Sequence, residues 1–128
     1  MVIVLSVRIE AIPNVNQAEF QQKQGEIYSD LATALLDSIP DDWDTAVLTL
    51  GSPIVEHGKE SMSHEISNPK LADGLATVMP DDSIYTHTRK LEMLFRDFGV
   101  KWKKAMFQLA WDDISENWRM VMEYEYDK

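Results

Sequence analysis

Few side chains in this sequence have the type and spacing to do covalent or metal chemistry. Histidine occurs three times, as His57, His64 and His87. No two of them have the i, i+4 separation that puts a pair of metal ligands on one helix face. His64 and Glu65 are neighbours in an extended run, where successive side chains leave on opposite faces, so they do not converge on a metal or a shared proton. The serines include no Gly-x-Ser-x-Gly elbow. Gly51, Gly58, Gly74 and Gly99 stand alone, without the lysine or the spacing of a phosphate-binding loop. Carboxylates come in adjacent pairs, Asp41/Asp42, Asp81/Asp82 and Asp112/Asp113. Hydrolysis by two acids needs them opposed across a cleft, whereas adjacent acids in a turn serve as caps or as solvated charge. Cysteine is absent, which excludes disulfides, thiolate nucleophiles and thiolate-held metals. The reading is a non-enzyme with no catalytic residue, no metal and no cofactor. A small carboxylate-dependent hydrolase is the alternative, and it would need acids gathered around a cleft by the fold.

Recognition is the chemistry that remains. The net charge is −10, from 22 Asp and Glu against 12 Lys and Arg. A field of that sign repels nucleic-acid phosphates and speeds encounter with a basic protein. Lys101, Lys103 and Lys104 surround Trp102, but at a helix-to-strand junction of an acidic chain they read as solvated charge around a core tryptophan. Trp111 and Trp118 flank the acidic stretch Asp112–Asn117, combining aromatic and carboxylate groups as a binding surface for a basic partner does. The expected contact residues are Asp112, Asp113, Glu116, Trp118, Glu123 and Glu125, with Asp41, Asp42 and Asp44 as a second patch.

Those residues need a scaffold, and 128 residues with 45% apolar content suit one domain, 1–128, with one core. The apolar opening, Met1 to Val7, is interrupted by Arg8 and Glu10 and is far too short to cross a bilayer. The expectation is a cytoplasmic protein with no membrane association. Residues 1–17 read as a leader or an extra strand, since Val2 to Ile9 alternate in type before Pro13, Asn14 and Asn16 break the pattern.

From Gln17 to Ile39 the period becomes helical, with Phe20, Ile27, Leu31, Leu35 and Ile39 on one stripe. Asn16 and Glu19 have the spacing of a capping box, and Pro40 ends the helix. Ala46 to Leu50 reads as a strand, Gly51 to Glu60 as a connection, and Glu60 to Ile66 as a second extended run. Leu71 to Met79 fits either a short helix or a loop. Asp81, Asp82 and Ser83 then open a second helix with the stripe Ile84, Thr88, Leu91, Leu94, Phe95 and Phe98, closed by a left-handed Gly99. Strict alternation from Ala105 to Trp111 and from Trp118 to Tyr126 predicts a β-hairpin with its turn at Asp112–Asn117. This order implies an α+β fold, an antiparallel sheet with two main helices on one face. An exposed sheet face or edge strand leaves open a third reading, a homodimeric adaptor domain.

Several of these stretches, taken in order, resemble a known family. They are the helix from Tyr28 ending in Ser38-Ile39-Pro40-Asp41-Asp42-Trp43-Asp44, then His64-Glu65-Ile66, then Leu91-x-x-Leu94-Phe95. Gly99-x-Lys101-Trp102-Lys103 and Glu123-Tyr124-Glu125-Tyr126-Asp127 complete the set. Over roughly Glu26 to Asp127 the chain is similar to YezG-type immunity proteins of bacterial polymorphic toxin systems. Membership would imply a non-enzymatic antitoxin that binds and neutralises a cognate toxin domain, often a nuclease, in bacterial competition. The acidity derived above suits such a partner independently, because a nuclease groove built to attract phosphate also accepts carboxylates.

Overall fold

The alternation at the start of the chain becomes strand β1 (Ile3–Arg8), and the longer period that follows becomes helix α1 (Gln17–Ser38). The computed structural model describes residues 3–8, 17–71 and 77–126; the expected Asn16 cap lies outside the described residues. Helix α1 buries Phe20, Gln24, Tyr28, Leu31 and Leu35. Steps of four, four, three and four keep one stripe on the core. Two polar-headed members, Gln24 and Tyr28, thus sit where the sequence pattern showed only its apolar residues. The helix stops two residues before Pro40, whose carbonyl accepts the Trp43 N–H at 3.0 Å to form the turn.

Strand β2 (Thr45–Leu50) follows, then β3 (Ile54–Glu56), β4 (Lys59–Ser61), β5 (His64–Ser67) and β6 (Thr77–Val78). Here the structure corrects the sequence reading in three places. The connection after Gly51 contains a strand, β3, which pairs with β4 as a separate two-stranded ribbon. Its turn residues His57 and Gly58 have φ of 52° and 76°, the two left-handed conformations that a tight hairpin requires. The run from Glu60 to Ile66 is broken at Met62 and Ser63, where the Ser63 carbonyl accepts the Gly51 N–H at 3.1 Å instead of continuing a ladder. Of the stretch Leu71 to Met79, residues 72–76 lie outside the described residues, and Thr77–Val78 form strand β6 where the sequence reads as helix or loop.

Helix α2 (Asp82–Asp97) buries Ile84, Thr88, Leu91, Glu92, Leu94 and Phe95. Asp81 occupies the cap position, but its carboxylate accepts the Ser83 hydroxyl at 2.8 Å instead of a helix N–H. At the other end Gly99, at φ 73°, lets its own N–H reach the Arg96 carbonyl and that of Val100 reach Phe95. This paired closure engages carbonyls of the last turn, of which Phe95 also accepts the Phe98 N–H at 3.2 Å. Strands β7 (Trp102–Asp112) and β8 (Asn117–Tyr126) form the long hairpin the alternation predicts, with a bulge between Trp102 and Lys104.

The main sheet runs β1-β8-β7-β2-β5-β6. Five strands pair antiparallel, and β1 adds a parallel edge beside β8. The opening segment therefore supplies an extra strand, and the sheet is antiparallel except at that edge. Both helices cover one face, where Ala46, Leu48, Leu50, Ala105, Phe107, Leu109, Met120 and Met122 are buried. Phe95 meets Trp102 edge-on at 4.9 Å and Phe20 at 5.0 Å, joining α2 to β7 and to α1. Tyr28 meets Phe107 edge-on at 6.1 Å. Fully burying side chains of this size stabilises the fold by about 1.5–3 kcal/mol each. Trp102 is a core residue as expected, with its indole N–H on the Gly51 carbonyl at 3.0 Å, while Lys101, Lys103 and Lys104 are exposed. One polar chain crosses this core: the Gln24 amide donates to the Tyr28 hydroxyl at 2.9 Å, and the Tyr28 and Tyr124 hydroxyls bond each other. Burial pushes both phenols upward from their ordinary value.

Candidate functional site

The turn of the long hairpin is built around Asp112. Its carboxylate accepts the Arg119 Nε–H at 2.8 Å, the Ile114 backbone N–H at 3.0 Å and the Ser115 hydroxyl at 3.0 Å. The Arg119 hydrogen bond is the chief reason its carboxyl sits below the usual range, helped by Ile114 and Ser115. Asp112 therefore spends its charge inside the turn, fixing the loop's shape. Asp113 is exposed and accepts the Trp111 indole N–H at 2.7 Å. Glu116 is exposed at φ 53°, a left-handed position that closes the turn. Trp118 is half-buried and packs edge-on against Trp111, ring centres 5.8 Å apart. Between these acids Ile114 projects 97% exposed.

The second patch lies beside the first. Thr45 pairs with Ala110, and the Trp111 backbone N–H donates to the Asp44 carbonyl at 2.8 Å. That register brings the turn between α1 and β2 to the same end of the sheet as the hairpin turn. Trp43 is buried beneath it, and Asp41, Asp42 and Asp44 are exposed. Lys70 approaches the Asp44 carboxylate at 3.3 Å. Two cations at this end, Lys70 and Arg119, are thus each engaged by an aspartate. Asp41, Asp42, Asp113 and Glu116 have no cation partner among the described residues. This end of the sheet therefore carries exposed carboxylates together with two exposed apolar groups, the 38% exposed Trp111 and the tip residue Ile114.

Glu123 and Glu125 do not join this end. They pair opposite Met106 and Lys104, several residues along β8 from the turn. At about 3.3 Å per residue, Glu123 lies roughly 20 Å from the start of the strand. They also project from the uncovered sheet face, opposite to Trp118, alongside half-buried Val121, Met106, Val47 and Thr49. The residues expected as one contact set are therefore two groups, an end and a face. Ile114 was missed, although an isoleucine inside Asp-Asp-Ile-Ser-Glu-Asn is itself a signal: a strand-forming apolar residue where the chain must turn.

A second chemically distinct place forms between β5 and α2, joining residues 24 apart in sequence. The His64 Nδ1–H donates to the Met62 carbonyl at 3.0 Å, and Nε2 lies 2.7 Å from the Thr88 hydroxyl. A hydroxyl beside an imidazole is the start of a nucleophile–base pair. Here Thr88 is 0% exposed, and a backbone carbonyl, not a carboxylate, orients the ring, so the pair ties strand to helix. Among the described residues no group of three or more His, Asp or Glu side chains is placed to hold a metal ion. None of the described helices is long and apolar enough to cross a membrane. Compared with models of known protein families the chain gives no match, and compared with curated proteins it gives none.

Proposed function

We propose that this chain is an immunity protein of the YezG type, an antitoxin that binds a cognate bacterial toxin domain in the cytoplasm and neutralises it. The partner is a basic protein, a nuclease, whose active site or substrate groove the acidic end of the sheet masks. One observation carries this reading: two acidic turns far apart in sequence are joined where the Trp111 backbone N–H donates to the Asp44 carbonyl, at the end of the sheet that also carries the exposed Ile114. Carboxylates on a rigid frame steer a cationic partner and fix its register, while apolar groups at the centre supply affinity once water is excluded. The resemblance over Glu26 to Asp127 points to the same class of activity.

The test is co-purification with the product of the adjacent toxin gene, followed by measurement of the affinity of variants. Reversing Asp113 and Glu116 to lysine should slow association and weaken binding at least tenfold at low salt, with a smaller effect at high salt. The same reversal at Glu123 and Glu125, away from this end, should change binding far less. Unchanged affinity in the first variant would reject the acidic end as the contact. Absence of any complex with the neighbouring toxin would reject the antitoxin reading itself.

A further inference from the structure

A hollow of about 220 Å³ opens between the β4–β5 junction and one flank of α2, lined by Ser61, Met62, His64, Tyr85, Thr88 and Arg89. None of these residues belongs to the acidic end. We propose that this hollow binds a small carboxylate carrying a flat apolar body.

Its walls are fixed before any ligand arrives. The Met62 carbonyl can only accept, so the His64 Nδ1 carries the ring hydrogen and Nε2 takes the Thr88 hydroxyl. The Tyr85 ring packs on the imidazole at 4.5 Å. With the ring held at both nitrogens and on one side, this wall of the half-open hollow is preformed, and binding against it costs little reorganisation. Burial pushes the His64 imidazole below its ordinary value, so the ring is a neutral wall near neutral pH.

Arg89 sets the polarity. The nearby Glu92 carboxylate is already taken by Arg96, at 3.1 Å from Nε and 2.6 Å from Nη2. Arg89 makes no direct hydrogen bond or ion pair among the described residues, although its charge also acts on Glu92 from a longer range. An exposed guanidinium fork without a hydrogen-bonded carboxylate, lining a half-open hollow, matches the planar bidentate geometry of a carboxylate. The exposed Ser61 can add a hydroxyl donor. Tyr85, 43% exposed, and the partly buried Met62 add apolar lining. An aromatic face and a thioether favour a flat ring over a compact, fully hydrated anion. The chain's net charge of −10 disfavours anions elsewhere, so selectivity depends on this one local cation.

The probe is sodium benzoate, titrated into the isotopically labelled full chain at pH 7 and followed by NMR, with benzamide as the uncharged isostere. Saturable shifts should centre on Ser61–His64 and Tyr85–Arg89, with a Kd of roughly 1 mM or tighter. Benzamide should bind about fivefold more weakly, and Arg89→Gln should erase that preference while the remaining spectrum stays native. Absence of saturable shifts at these residues up to about 10 mM benzoate would overturn the proposal. Equal binding of benzamide, or a preference that survives in Arg89→Gln, would overturn it too. The titration needs no partner protein, so its outcome is separate from that of the antitoxin reading.

Discussion

The buried hydroxyl pair that joins α1 to β8 gives the most decisive test of the fold. Tyr28 is the middle member of a chain in which Gln24 donates to it and its hydroxyl bonds Tyr124. Tyr28→Phe removes the shared oxygen, leaving the 2% exposed Gln24 amide and the Tyr124 hydroxyl both without that partner. Each orphaned buried group costs about 1–3 kcal/mol, so the expected loss for the two is about 2–6 kcal/mol. Tyr124→Phe removes an end member only, leaving Tyr28 still bonded to Gln24, and should cost about 1 kcal/mol. Once Tyr28→Phe is present, the second change removes an orphan and adds little, giving a coupling of about 1 kcal/mol. Urea unfolding followed by tryptophan fluorescence and circular dichroism reads all four corners of the cycle. At roughly 4 °C per kcal/mol for a chain of this size, Tyr28→Phe should lower Tm by about 8–24 °C. Equal losses in the two single variants, or additivity in the double, would refute the asymmetric chain. The same pair sets an alkaline limit. Burial holds both phenols above their ordinary value, so their contribution is complete below the unfolded value of about 10 and is lost as pH rises beyond it.

Two further outcomes are expected. The glycines divide by backbone angle: Gly25→Ala places its new Cβ with nothing within 4 Å in mid-helix and should stabilise by about 0.5–1 kcal/mol. Gly99→Ala, at φ 73°, should instead cost about 1–2 kcal/mol, and equal effects in thermal melts would contradict the assigned helix end. Burial also holds His64 below its ordinary value, so the unfolded chain takes up that proton first. Its contribution is then complete above a pH of about 6.5 and lost as pH falls toward the lower folded value. Urea midpoints measured from pH 8 to 5 should decline accordingly in the native chain and less in His64→Gln.

What the sequence determined alone was whatever depends on neighbours along the chain. The 3.6 period placed α1 and α2, Pro40 and Gly99 ended them, and strict alternation placed the long hairpin with its faces correctly sorted. Lys101, Lys103 and Lys104 around a buried Trp102 also followed from local type. Short strands were less legible: β3 and β6 contain three residues and two, too few to display a period, and their pairing comes from partners elsewhere. Only the tertiary structure decided which acids share a surface. Asp44 stands beside Trp111 because the β2–β7 register puts Thr45 opposite Ala110, and no local pattern encodes a register between strands 65 residues apart. The same holds for His64 and Thr88, and for Arg96, not Arg89, making the direct hydrogen bonds to Glu92. Asp112 and Asp113 are equivalent as adjacent letters, yet one is bound into the turn and the other faces solvent. Charge and period are properties of the chain, but convergence is a property of packing, since it depends on which distant backbones satisfy one another's hydrogen bonds.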